Sequence, residues 1–173
     1  VLAAARFVIL PGPTDPCGGS TYTALPRPSL PKALMGNFIH KLGGEKKVVL
    51  ATSPCRVRLG RRELLFCRED LVNKLHRQSF LNIKQRTTEE LSRHFVKTIC
   101  DQGHLIPLQL STAPVFWNYD HCLRMHTLPD LVVIGDKFSQ YMHTYCGCTC
   151  SNPGLFARDG SFLLYSSEEN SVV

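Results

Sequence analysis

Leu131-Val132-Val133-Ile134, introduced by Pro129-Asp130 and closed by Gly135-Asp136, is a continuous apolar run of strand length. Such a run, bounded by turn residues, reads as a buried strand, and a buried strand needs cover on its sheet. Arg6 to Leu10 repeats the pattern and stops at Pro11-Gly12-Pro13. Further strands are expected at Val48 to Ala51, Cys55 to Leu59 and Glu63 to Cys67, the last two joined as a hairpin across Gly60-Arg61-Arg62, with a final one at Phe162 to Tyr165.

The cover comes from helical periods. Leu34, Phe38 and Leu42 recur every four residues before Gly43-Gly44, so Ser29 to Leu42 is expected to be an amphipathic helix with one face on a sheet. Asp70 is a candidate cap for a helix to about Ser79 that buries Leu71, Val72 and Leu75, followed by a looser segment, Asn82 to Arg86. Thr87-Thr88-Glu89-Glu90 offers a capping box, after which Leu91, Phe95 and Ile99 share a face until Gly103. Strands and helices alternate unevenly with a hairpin inside, which predicts an α/β fold of mixed α+β character: a mixed sheet, or two mixed sheets, flanked by helices.

With 173 residues, 43% hydrophobic and 20% charged, the chain has the material for one ordinary core. Its longest apolar runs fall far short of the roughly 20 residues that cross a bilayer. The net charge of +6 invites a nucleic-acid reading. The basic residues, however, are modestly clustered: Arg56, Arg58, Arg61 and Arg62 alternate with Val57 and Leu59 as the solvated face of a hairpin does. Direct DNA binding through this hairpin stays open as a functional reading, to be judged by its salt dependence.

Of the eight cysteines, Cys17, Cys55, Cys67, Cys100 and Cys122 are scattered without paired spacing, which suits a reducing compartment. Cys146, Cys148 and Cys150 form C-G-C-T-C, with His143 just upstream. Zinc knuckles take ligand pairs from two places, and no second pair is evident, so this stretch reads as a cysteine-rich loop and no metal or cofactor is expected.

Chemistry in such folds sits at strand ends, which here means Gly12 to Asp15, Cys67 to Asp70 and Gly135-Asp136. A two-metal centre for phosphoester hydrolysis needs several converging Asp, Asn and His ligands. These turns supply only Asp15, Asp70 and Asp136, with Glu69 adjacent, and such carboxylates serve as turn residues and caps. His104 follows a helix-ending glycine and reads as a cap-region residue; His121 and His126 read as packing or surface. Cys67 beside Arg68 has no histidine close in sequence and reads as a buried strand-end thiol. Pro114 to Tyr119 is aromatic, and Phe116, Trp117 and Tyr119 read either as a contact surface or as core.

The series P-G-P-T-D-P (11–16), L-P-R-P-S-L-P (25–31), S-P-C-R-V (53–57), F-C-R-E-D-L-V-N-K-L (66–75), H-F-V-K-T-I-C-D-Q-G-H-L-I-P-L (94–108), V-F-W-N-Y-D (115–120) and L-P-D-L-V-V-I-G-D-K-F (128–138) resembles the B subunits of eukaryotic replicative DNA polymerases. The stretches at 66–75 and 94–108 are similar to the epsilon branch, with alpha and delta as runners-up. The resemblance implies the C-terminal part of a calcineurin-like phosphoesterase fold, with upstream strands and an oligonucleotide-binding-fold domain outside this chain. An active relative carries G-N-H-D, Y-H-G and G-H-x-H. Aligned on those motifs, Pro13 stands for the ligand Asn and Thr14 for the catalytic His; Cys67 stands for a ligand His, and Asp136 and Phe138 for both histidines of the third motif, with Lys137 between them. The implied role is a non-catalytic scaffold in the nucleus, and its rival is a metal-dependent phosphoesterase or nuclease of the same fold. Its implied partners are the C-terminal region of the epsilon catalytic subunit, the other epsilon subunits and the replicative helicase. A truncated domain of this kind is expected to leave a sheet edge and an apolar face uncovered.

Overall fold

In the computed structural model, residues 5–16, 24–80 and 87–173 are described; Cys17 and the Asn82 to Arg86 segment lie outside them. The elements are β1 (Phe7–Ile9), α1 (Lys32–Lys41), β2 (Val48–Leu50), β3 (Cys55–Leu59), β4 (Arg62–Arg68), α2 (Val72–Arg77) and α3 (Thr88–Gln102). After a 3-10 segment (Trp117–Leu123) come β5 (Leu131–Gly135), β6 (Tyr141–Tyr145), β7 (Cys148–Asn152), α4 (Phe156–Asp159), β8 (Tyr165–Ser166) and β9 (Ser171–Val172). No helix among the described residues is long and apolar enough to cross a membrane.

β5 is the centre of a five-stranded mixed sheet of order β3-β4-β5-β7-β6. It runs parallel to β4, with Leu65 beside Val132 and Cys67 beside Ile134, and parallel to β7; β3 and β6 are antiparallel to their neighbours. The uninterrupted apolar run has a direct cause. Val132 and Ile134 join the main core with Leu65, Cys67, Cys148, Cys150 and the α3 residues Phe95, Val96 and Ile99. Leu131, from the alternate positions, is buried with Leu64 and Val172 on the opposite face, where Val133, Leu163 and Tyr165 pack. Both faces of β5 are therefore covered, and alternation with polar residues would bury groups without partners.

The helix α3 forms as its sequence predicts. The Thr87 hydroxyl accepts from Glu90 N and the Glu90 carboxylate accepts from Thr87 N, both at 3.3 Å, and Gly103 ends the helix in the left-handed region. Phe95, Val96 and Ile99 are fully buried, each worth about 1.5–3 kcal/mol of transfer free energy.

Other elements depart from expectation. α1 starts after Pro31 and buries only Ile39; Leu34 and Phe38, expected to pack on a sheet, are 62% and 48% exposed. The helix connects β1 to β2, a separate parallel pair two strands wide, whose Val8 and Val49 are exposed as well. Two strands offer too little surface to bury a helix face. The C-G-C-T-C stretch is no loop: Cys146-Gly147, both with positive φ, turn a tight hairpin between β6 and β7. Cys146 is thereby exposed, while Cys148 and Cys150 point together into the core. The expected strand Phe162 to Tyr165 is shifted towards the C-terminus, where β8 pairs with β9. Leu164 and Val173 extend that ladder with two backbone hydrogen bonds.

Candidate functional site

The three strand-end turns are each tied up by bonds within the chain. At the first, the Asp15 carboxylate accepts from Gly12 N at 2.8 Å and pairs with Arg68 at 3.1 Å. A Cβ on residue 12 would lie 2.5 Å from Cζ of Arg68, so glycine is what lets the guanidinium rest there. Pro13 is half-buried and Thr14 exposed.

At the second turn Cys67 is buried, 3.9 Å from the Ser53 hydroxyl, and burial pushes its thiol up to about 12. A thiol held protonated is no nucleophile at neutral pH. The neighbouring Glu69 is buried in an ion pair with Arg27, and Lys74 approaches its other oxygen at 2.6 Å.

At the third turn, Asp136 replaces Asp70 as the cap of α2. One Asp136 oxygen accepts from Leu71 N at 2.6 Å and Val72 N at 2.9 Å; the other accepts from Phe138 N at 2.9 Å. Burial raises the Asp136 pKa against the pull of those three amides. Asp70, freed from capping, accepts from Lys137 N and pairs with its ammonium, both at 3.0 Å, which raises the lysine pKa. Asn152 stitches the turn to β7: its oxygen accepts from Asp136 N and its amide donates to Phe138 O. Phe138 packs edge-on against Tyr141. The carboxylates do not converge into a ligand set. Among the described residues, the one group of three His, Cys, Asp or Glu side chains close enough to share an ion lies elsewhere.

The other candidates resolve as follows. His104 donates from Nε2 towards Asp120 and accepts from Ile106 N at Nδ1, fastening the end of α3 to the 3-10 segment. His121 and His126 are exposed. Arg56 bonds Glu63 and the Arg124 carbonyl, and Arg62 bonds Asp130, so part of the basic hairpin is neutralised locally. Phe116, Trp117 and Tyr119 do not fill the core: they are 38%, 72% and 57% exposed. Phe116 and Tyr119 line a mainly apolar cleft of about 400 Å³ with Pro26, Pro28 and Pro54.

One cluster escapes sequence reasoning. Cys100, from the buried face of α3, meets Cys148 and Cys150 of β7. The Cys150 sulfur is 3.8 Å from each of the other two. The Cys148 and Cys150 thiols hold the Cys100 pKa down to about 4; contact with Cys100 and burial drive Cys148 up to about 12, and contact with both neighbouring thiols raises Cys150 as well. The available signal was a cysteine on a helix's buried stripe together with a C-x-C strand, a pairing only the tertiary fold reveals.

The chain is 42% identical over 171 residues to DNA polymerase epsilon subunit 2 of Homo sapiens, 97% of this chain and 31% of that protein. It is 37% identical over 168 residues to the DNA polymerase epsilon B subunit of Arabidopsis thaliana, again 97% and 31%. With the DNA polymerase epsilon B subunit of Schizosaccharomyces pombe the identity is 30% over 164 residues, 86% of this chain and 27% of the relative. The chain thus spans less than a third of the length of these relatives. The family model for the B subunit of DNA polymerase alpha/epsilon matches residues 1–143, and the chain belongs to that family.

Proposed function

We propose that the chain is part of a non-catalytic scaffold subunit of DNA polymerase epsilon, acting in nuclear DNA replication. It binds the C-terminal region of the catalytic subunit and connects it to the other subunits and the replicative helicase. Residues 1–173 form one portion of an inactivated phosphoesterase-like domain. One observation carries the reading: at the three strand-end turns, residues fit for two-metal chemistry are missing, and the carboxylates present are engaged by Arg68, Lys137 and backbone amides of the same chain. The names of the relatives supply the polymerase, and the exposed Phe116, Trp117 and Tyr119 supply the kind of aromatic surface that interfaces use.

The test is a pull-down of the tagged, full-length subunit with the purified C-terminal region of an epsilon catalytic subunit. A stoichiometric complex supports the reading. No complex from folded protein overturns the epsilon assignment and directs the search to the alpha and delta partners. In parallel, manganese-dependent cleavage of a simple phosphodiester by the same preparation would overturn the non-catalytic part.

A further inference from the structure

We propose that Cys100, Cys148 and Cys150 form a three-thiolate site for a soft, thiophilic cation, zinc(II) being the ion it takes. The three sulfurs come from two elements that fold against each other, the last helical turn of α3 and alternate positions of β7. Sulfurs each about 2.3 Å from a central zinc ion stand roughly 3.8–4.0 Å from one another. Two edges of the observed triangle are 3.8 Å, and the three sulfurs lie within 4.8 Å of one another. The triangle closes on an ion with little movement.

The donor set selects the cation. The group contains no carboxylate and no imidazole, which disfavours hard ions such as magnesium or calcium and favours zinc(II) or copper(I). Charge separates these two. Three thiolates around zinc(II) leave one net negative charge in the core, and around copper(I) they leave two, the costlier arrangement to bury. Access exists on one side: Cys100 lines a surface cavity of about 500 Å³ with Gly103, His104, Met125 and Leu128. The cavity offers the ion a way in and a water for the fourth position. Binding releases the thiol protons to solvent and clamps α3 to β7, so affinity rises with pH.

The experiment uses the full-length subunit expressed alone, kept reduced, stripped with a chelator and checked for folding by circular dichroism. It is then titrated with cobalt(II), zinc(II) and copper(I). The expected result is about one equivalent of cobalt with thiolate-to-metal charge-transfer absorption, displaced by zinc. Cys100→Ala and Cys150→Ala abolish that band, and Cys146→Ala, at the exposed hairpin turn, leaves it intact. Absence of the band, or a band indifferent to Cys100→Ala, overturns the site; tight copper(I) binding without zinc binding overturns the choice of ion. Should the alanine variants fail to fold, X-ray absorption at the zinc edge of the wild type decides. About three sulfur neighbours at ~2.3 Å support the site, and a shell of nitrogen and oxygen alone refutes it.

Discussion

Replacing Asp136 by alanine is expected to destabilise the protein by about 3 kcal/mol, through a mechanism visible at two backbone amides. Asp136 accepts from Leu71 N and Val72 N, both on buried residues, and from Phe138 N, which is less enclosed. Each buried donor left without an acceptor costs about 1–3 kcal/mol, so the first two together cost roughly 2–6 kcal/mol. Removing a carboxylate whose burial raises its pKa returns part of that, which brings the net towards the lower middle of the range. For a domain of this size the loss corresponds to a fall in Tm of about 6–12 °C. Asp136→Asn keeps one carbonyl acceptor and is expected to lose about half as much. Because the folded pKa of Asp136 lies above the unfolded one, its titration favours the fold below about pH 4 and that contribution is lost as pH rises through the folded pKa. The deficit of the asparagine variant should therefore be larger in acid than at neutral pH. Urea unfolding and hydrogen exchange on the full-length subunit provide the assay. An alanine variant within about 0.5 kcal/mol of wild type, or unchanged protection at Leu71 and Val72, would refute the capping argument.

Three further outcomes are expected. Arg27→Ala leaves the buried Glu69, among the described residues, with the partly exposed Lys74 as its ion-pair partner, also removes the bond to the Arg68 carbonyl, and should cost about 3–5 kcal/mol in chemical denaturation. The double change Arg27→Met with Glu69→Leu should recover part of it, the lost bond to the Arg68 carbonyl remaining, and a single variant as stable as wild type would count against the buried pair. Asp130 has its pKa lowered by the Glu63 amide and the Arg62 guanidinium. Its contribution to stability is present above the unfolded pKa near ~3.9 and is lost as pH falls through the folded value, so Asp130→Asn should weaken the protein at pH 7 and converge with wild type in strong acid. Trp117→Ala, at an exposed position, should leave stability unchanged and weaken binding to the catalytic-subunit fragment by roughly 30-fold, as loss of an interface anchor does. Equal affinity measured by calorimetry would remove this aromatic surface from the interface.

Much of the sheet was legible because its determinants are local. The β5 run, the β3–β4 hairpin around Gly60, and α3 between Thr87 and Gly103 all announce themselves within a few residues. What stayed hidden depends on contacts between distant segments. Asp70 has the right position to cap α2, but Asp136 arrives from β5 with better geometry for the amides, and Lys137 takes Asp70 instead. Leu34 and Phe38 show a helical period that identifies an apolar face without saying what covers it. The β6–β7 hairpin was missed because Cys146 adopts a positive φ that sequence rules reserve for glycine or asparagine. Cys100 could not be associated with Cys148 and Cys150 until the parallel pairing of β5 and β7 set β7 beneath α3. At the three strand-end turns the scarcity of metal-ligand side chains was plain in the sequence; that Arg68 pairs with Asp15 and Lys137 with Asp70 was not.

The contact between Gly12 and Arg68 makes two positions mutually exclusive. A side chain at residue 12 and a guanidinium lying over that turn compete for one volume, since the nearest approach would be 2.5 Å. A side chain at residue 12 displaces the Arg68 guanidinium from its place beside Asp15, and shortening Arg68 leaves the turn held by the Gly12 amide on the Asp15 carboxylate and the Asp15 amide on the Gly12 carbonyl. The two positions are therefore coupled: the seat of the guanidinium over this turn is a property of the pair and not of either residue alone.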